Sequence, residues 1–348
     1  MTQASSSSRK RIEWMWKSNV DSWSSGEKED WCAFSDVETI IIEAAFQRKL
    51  PRTSLDDCHV DLKKLVQISN KDQNKQRPIK RIAKDKVKPD RRLRETRFMW
   101  NPTNPSISFA ESICRIGFVN EVLHRFDRFD LFDDTSLREV TNRNMLVEKA
   151  VEGLIIEGKL AGKQQEAEWM AQQLANMNGG TEEDIWKCCA RLYTMESFLY
   201  KKMNEYMRLG GDSEHRELWR SKMSTLGPFA YLLSILAIDR NYKKITVYRG
   251  ASLTDDMIEQ YRRNVDRYVN FPAFTSASRN RKKAEQFGNA LFVMDISSLH
   301  GSDVSPYSYY PDEEETLIKP DFVFYIESCM LNKTLNKWII HLSTHRDE

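Results

Sequence analysis

The chain has 348 residues, with 53 Lys and Arg against 51 Asp and Glu and a formal charge of +2. That near balance gives no whole-chain reason to expect sequence-specific nucleic-acid binding, and the length suffices for two domains, each with its own core. The six cysteines (Cys32, Cys58, Cys114, Cys188, Cys189 and Cys329) form no Cys-x-x-Cys pair and no zinc spacing with histidine, so neither a disulfide framework nor a metal is expected.

No segment is apolar for the length of a membrane span, and the polar stretch Met1 to Lys10 lacks the apolar core of a signal peptide. The charged end His345-Arg346-Asp347-Glu348 is unlike a lipid-anchor signal. The expectation is a cytosolic or nuclear protein, neither secreted nor held in a membrane.

Residues 11–85 differ in kind from the rest. Trp14, Trp16, Trp23 and Trp31 fall within eighteen residues. Ser35-Asp36-Val37-Glu38 has capping-box spacing before a short helix over Thr39 to Gln47, with an apolar stripe at Ile41, Ala44 and Ala45. Extended runs are predicted at His59 to Ile68 and Arg77 to Ile82, divided by the polar turn Ser69 to Gln76. This is a small α+β module whose tryptophans fill a thin core. Trp14 or Trp16, then Trp31, then Glu43 in Ile41-Ile42-Glu43-Ala44-Ala45-Phe46 give the segment a resemblance to a WWE domain, with a longer first turn over Ser22 to Asp30. WWE domains in several ubiquitin ligases and polymerases bind the iso-ADP-ribose unit of poly(ADP-ribose). The resemblance implies a polymer site built from the rings of Trp14 and Trp31 and the polar groups of Gln67, Arg77 and Lys80.

Lys75 to Arg97 holds eleven Lys or Arg residues against three acids and includes Pro78 and Pro89. Such a run is a solvated linker, with anion binding the alternative, and 86–109 is taken as that linker. Helix signals then dominate 110–240. Asn144 to Met177 is one helix or two pieces, interrupted by glycines at 153, 158 and 162. Ile185, Cys188, Leu192, Met195, Leu199, Met203 and Tyr206 recur at spacings of three and four, which predicts one continuous helix ending at Gly210-Gly211. Gly227-Pro228 opens another over Phe229 to Ile238.

From 241 to 348 the pattern turns to strands: Lys244 to Gly250, Leu291 to Ile296, Glu315 to Ile318, Phe322 to Glu327 and Thr334 to Leu342. Arg279 to Phe287 reads as a short helix capped by Ser278. Three features stand in order along this half. Val247-Tyr248-Arg249-Gly250 ends a strand on a cation suited to a diphosphate. Phe274-Thr275-Ser276-Ala277-Ser278 offers hydroxyls on a tight turn. Glu313-Glu314-Glu315 runs into Thr316-Leu317-Ile318, and an extended chain would send Glu313 and Glu315 to one side and Glu314 to the other.

The order Arg, Ser-x-Ser, Glu-x-Glu resembles the arginine-serine-glutamate class of ADP-ribosyltransferases, the arginine-specific enzymes and related bacterial toxins. The resemblance implies an α+β fold, with a helical lobe followed by two packed, mainly antiparallel sheets around a cleft for the co-substrate NAD. It assigns the NAD anchor to Arg249, the first motif serine to Ser276, the catalytic glutamate to Glu315 and the acceptor glutamate to Glu313. The middle of the Ser-Thr-Ser motif is Ala277 here. Ser276 would orient Glu315, Gly250 would let the backbone approach nicotinamide, and Ser278 and Phe287 would line the cofactor site. The loop Ser305 to Pro311, with Tyr307, Tyr309 and Tyr310, falls where the family carries its substrate-recognition loop. Expected partners are proteins with exposed arginine and poly(ADP-ribose). An NAD glycohydrolase and a catalytically weak polymer-binding adaptor are the alternatives.

Overall fold

The computed structural model describes residues 11–23, 26, 28–84, 109, 117–127, 140–235, 243–298 and 300–344. The proposed linker 86–109, apart from Phe109, and both chain ends lie outside the described residues, as does Cys114.

The first module is a six-stranded sheet in the order β2-β1-β6-β5-β4-β3. Its strands are β1 (Arg11–Lys17), β2 (Trp31–Ala33), β3 (Arg52–Ser54), β4 (Cys58–Asp61), β5 (Val66–Ser69) and β6 (Gln76–Lys84), with α1 (Asp36–Gln47) packed against it. The capping box forms as its spacing predicts: the Ser35 hydroxyl accepts from the Glu38 N–H, and the Glu38 carboxylate accepts from the Ser35 N–H. Trp14, Phe34, Ile42, Leu55, Val60 and Ile79 form most of its core. His59 to Ile68 is a hairpin, where the sequence pattern suggests a single run. The Asp61 carboxylate accepts the N–H groups of Lys63 and Lys64, and Leu65 takes a left-handed φ of 53°, which reverses the chain.

The helical lobe comprises α2 (Phe118–Asp127), α3 (Val140–Leu160), α4 (Gln164–Ala175), α5 (Glu182–Thr194), α6 (Phe198–Arg208), α7 (Arg216–Ser221) and α8 (Gly227–Ile235). Gly162, at φ 67°, separates α3 from α4. The predicted continuous helix over 185–206 is instead two, α5 and α6, broken at Met195-Glu196-Ser197. There the freed backbone groups find partners on other elements. Glu196 N–H donates to the Asp36 carboxylate at 2.6 Å, and Phe198 N–H donates to Glu166 at 2.8 Å. Both apolar stripes face the same core, so the pattern crosses the break without a visible interruption. Val37 of α1 is fully buried in that core too. No described helix is long and apolar enough to cross a membrane.

The last part carries β7 (Lys244–Ala251), α9 (Asp255–Arg263), β8 (Tyr268–Phe271), β9 (Thr275–Ser278), α10 (Arg281–Ala284), β10 (Ala290–Ser297), β11 (Gly301–Asp303), β12 (Glu315–Ile318), β13 (Phe322–Asn332) and β14 (Lys337–Ser343). The strands run in the order β11-β12-β9-β7-β10-β14-β13-β8. Among the described residues only β10 and β14 pair in parallel. The join between β9 and β7 is a single pair, Tyr248 with Ser278. The strands therefore form two leaves meeting at that point, the mixed α+β arrangement expected, and one leaf packs its face on the helical lobe through Phe274 and Leu317.

Candidate active site

The meeting of the two leaves gathers the arginine, the serines and the glutamates. β9 is buried along its whole length, and its alternation divides it cleanly. Ala277 points into the core with Val247, Phe292 and Ile318, while Ser276 and Ser278 take the other face. The departure at Ala277 therefore removes no hydroxyl from the face that carries the serines. In the β9–β12 ladder Ser278 lies opposite Glu315, and Ser276 opposite Leu317, which leaves Ser276 diagonal to Glu315. Glu315 is fully buried. From β7, the Arg249 guanidinium donates to the Ser276 carbonyl oxygen at 2.7 Å. Arg249, Ser276, Ser278 and Glu315 thus share one hydrogen-bonded neighbourhood.

The glutamate triplet is not extended. Pro311–Glu313 is a turn of 3-10 helix, and Glu314 adopts a left-handed φ of 50° before β12 begins. Strand alternation therefore does not set the direction of Glu313; a turn does. The Ser278 hydroxyl donates to the Glu313 carbonyl oxygen at 2.8 Å, and the Arg279 N–H binds the Glu314 carbonyl at 3.1 Å. Asn280 and Lys283 hold the Glu314 carboxylate at 3.1 and 3.0 Å, and these contacts keep it below the usual carboxylate range. Asn280 and Lys283 escaped the sequence reading. Asn280 is also the cap of α10, accepting from the Lys283 N–H, whereas the expected cap, Ser278, belongs to β9. An Asn before Arg-Lys-Lys-Ala was the available signal.

Packing within the protein gives Gly250 a steric reason to be glycine. A Cβ there would stand 2.4 Å from the Ala284 carbonyl oxygen and 2.6 Å from that of Phe287, so the residue lets β7 pack on the turn after α10. Phe287 is half-buried in that turn and its carbonyl accepts from Lys337 at 2.9 Å. The tyrosines of 305–311 face inward. Tyr307 meets the Trp186 ring edge-on at 5.5 Å, and the buried Tyr310 bonds Asp36 of the first module at 2.7 Å.

In that module the proposed polymer residues fall into separate groups. Trp14 is fully buried and its indole N–H donates to Glu43 at 2.9 Å, so its ring has no free face for a base. Trp16 pairs with Ile79 on the α1 side of the sheet, and Met15 pairs with Lys80 on the opposite side. Gln67 and Arg77 pair across strands on the α1 side, where Arg77 donates to the carbonyls of Lys17 and Asn19 and lies 5.3 Å from the Trp16 ring. Lys80 sits 3.8 Å over the Trp31 ring on the other side.

A family model described as NAD:arginine ADP-ribosyltransferase matches residues 161–348, and a WWE domain model matches residues 12–81. A putative NAD(+)–arginine ADP-ribosyltransferase of Mycobacterium avium is 34% identical over 114 residues, covering 30% of this chain and 13% of that protein. NAD(P)(+)–arginine ADP-ribosyltransferase 2 of Gallus gallus is 29% identical over 133 residues, 38% of this chain and 40% of that protein. Ecto-ADP-ribosyltransferase 5 of Mus musculus is 29% identical over 142 residues, 39% and 44% respectively. The chain spans less than half the length of these relatives. Among solved structures, an ADP-ribosyltransferase of Pseudomonas syringae is 24% identical with a TM-score of 0.40 over 46% of this chain and 76% of that one.

Proposed function

The chain belongs to the NAD:arginine ADP-ribosyltransferase family, whose model matches more than half of its residues, and from that membership we propose that it transfers ADP-ribose from NAD to protein arginine. The observation that carries the reading is the buried Glu315 opposite Ser278, beside the Arg249–Ser276 contact.

In this reading Arg249 holds the NAD diphosphate. The bond between ribose C1′ and nicotinamide breaks, nicotinamide leaves with the electron pair, and the sugar becomes oxocarbenium-like. Glu315 stabilises that charge in a site from which water is excluded. A guanidine nitrogen of the acceptor forms the new bond to C1′, and Glu313 takes the proton it releases. Ser278 fixes the backbone between the two glutamates, and Ser276 supports Arg249 through its carbonyl. The WWE domain is the proposed reader of poly(ADP-ribose), bringing the enzyme to proteins already carrying polymer in the cytosol or nucleus.

The test is transfer of label from NAD to arginine-containing proteins by the wild type and by Glu315→Ala. Arginine-linked label that vanishes in the variant supports the reading. Nicotinamide release without protein label would replace it with NAD glycohydrolysis, and no turnover across a broad acceptor panel would leave the adaptor.

A further inference from the structure

Asp36, at the start of α1, is where three parts of the chain meet. One carboxylate oxygen accepts from the Tyr310 hydroxyl at 2.7 Å and from Arg11 at 3.0 Å. The other accepts from the Glu196 N–H at 2.6 Å, in the break between α5 and α6, while Asp36 N–H returns a bond to the Glu196 carbonyl at 3.2 Å. The Arg11 guanidinium lies 3.7 Å over the Tyr310 ring and 5.0 Å from that of Tyr309. Tyr309 N–H donates to the Thr194 hydroxyl at 3.3 Å. Asp36 and Tyr310 are each less than a tenth exposed.

Tyr310 immediately precedes the turn Pro311–Glu313, and Glu313 N–H binds the Tyr310 carbonyl at 3.1 Å. The segment bearing Glu313 is therefore fixed at two ends. Ser278 holds it from the catalytic sheet, and Arg11 and Asp36 hold it from the WWE domain. Val37, next to Asp36, is buried in the core of the helical lobe, so the domain is packed into the enzyme as well as bonded to it. A charge-assisted bond inside a low-dielectric seam fixes direction more firmly than an exposed one.

We propose that Arg11 and Asp36 are positioning residues for arginine transfer: through Tyr310 they hold the turn that carries Glu313, so the WWE domain completes the acceptor side of the active site in addition to any polymer it binds. This rests on the transferase reading above, with Glu313 on the acceptor. NAD cleavage at Glu315 does not pass through this contact, so the two activities separate when it is broken.

The experiment uses the full chain and Tyr310→Phe, which keeps the ring under Arg11 and removes only the hydroxyl. Amide hydrogen exchange over 305–314 is expected to quicken. With NAD and agmatine as probes, the KM for agmatine is expected to rise about ten-fold while nicotinamide release without acceptor stays within about two-fold. Unchanged exchange overturns the proposal, as does an equal fall of both activities. A wild type that releases nicotinamide but never modifies agmatine, together with faster exchange in the variant, overturns arginine transfer and upholds the clamp. Arg11→Lys, which keeps the charge but loses the planar stack, gives a second variant expected to show the same separation in weaker form.

Discussion

Ser278 stands directly opposite Glu315 in the β9–β12 ladder while its hydroxyl bonds the carbonyl of Glu313 two residues away. One serine therefore sets the backbone between both glutamates. It also accepts from the Asn280 N–H at 3.0 Å, which ties the same point to the start of α10. Ser278→Ala leaves the Glu313 carbonyl without this donor and loosens the turn. The expected result is a fall of about ten-fold in kcat/KM for an arginine-type acceptor, measured by label transfer from NAD. A full-activity variant would remove Ser278 from the proposed machinery.

Arg249 is buried and already spends one donor on Ser276. Lysine keeps the charge but cannot reach a carbonyl and a diphosphate together through a planar fork. Arg249→Lys should raise the KM for NAD by roughly 10- to 100-fold with the fold intact by thermal melt. An unchanged KM would argue against an anchor at this position.

Glu166 sits in the seam between α1 and the helical lobe, 2% exposed, bonded to the Ser35 hydroxyl at 3.0 Å and the Phe198 N–H at 2.8 Å. Burial pushes its carboxyl up to about 7 from 4.5, with nearby Glu38 adding to the effect and Lys163 opposing it. Between those values this carboxyl holds more proton in the folded chain than in the unfolded one, so its own contribution to stability is fully present below pH 4.5 and is lost as pH rises through 7. The window is worth on the order of 3 kcal/mol. Glu166→Gln, which can still accept from Phe198, should flatten the decline in melting temperature from pH 5 to 8. A variant with the same slope as wild type would place the titration elsewhere.

In the WWE domain Glu43 receives Arg81 through two bonds of 2.9 and 2.7 Å, as well as the Trp14 indole and Gln47. The Arg81 bonds lead the effects that bring its carboxyl down to about 2, against the opposing cost of burial. Its contribution to stability is present above pH 4.5 and disappears as pH falls through 2. Glu43→Gln should cost about 2 kcal/mol near pH 7, read from denaturant unfolding. Trp14→Ala should cost about 3–5 kcal/mol, because a fully buried ring leaves a cavity.

A poly(ADP-ribose)-binding assay tests the proposed reader role and tells the two faces of that sheet apart. Trp31→Ala with Lys80→Ala should abolish binding if the outer face is the reader surface, with the melting temperature little changed. Loss on Arg77→Ala alone would favour the α1 face, provided the turn at Lys17 and Asn19 that Arg77 supports stays folded by amide exchange.

The sequence by itself determined the elements whose signals are local. The Ser35–Glu38 capping box, the strand ending in Arg249-Gly250 and β12 at Glu315–Ile318 all rest on neighbours a few residues apart, where periodicity and caps operate. Tertiary structure decided what depends on distant partners. The break after Thr194 exists because Asp36 and Glu166 supply the bonds that an uninterrupted helix would make internally. The glutamate triplet turns because Asn280, Lys283 and Ser278 receive it. Trp14 and Trp31 look alike in the chain, yet packing against α1 buries the first and leaves the second partly exposed. The bond from Asp36 to Tyr310 spans 274 residues, and no local pattern encodes it, since only the folded packing brings those two side chains within reach.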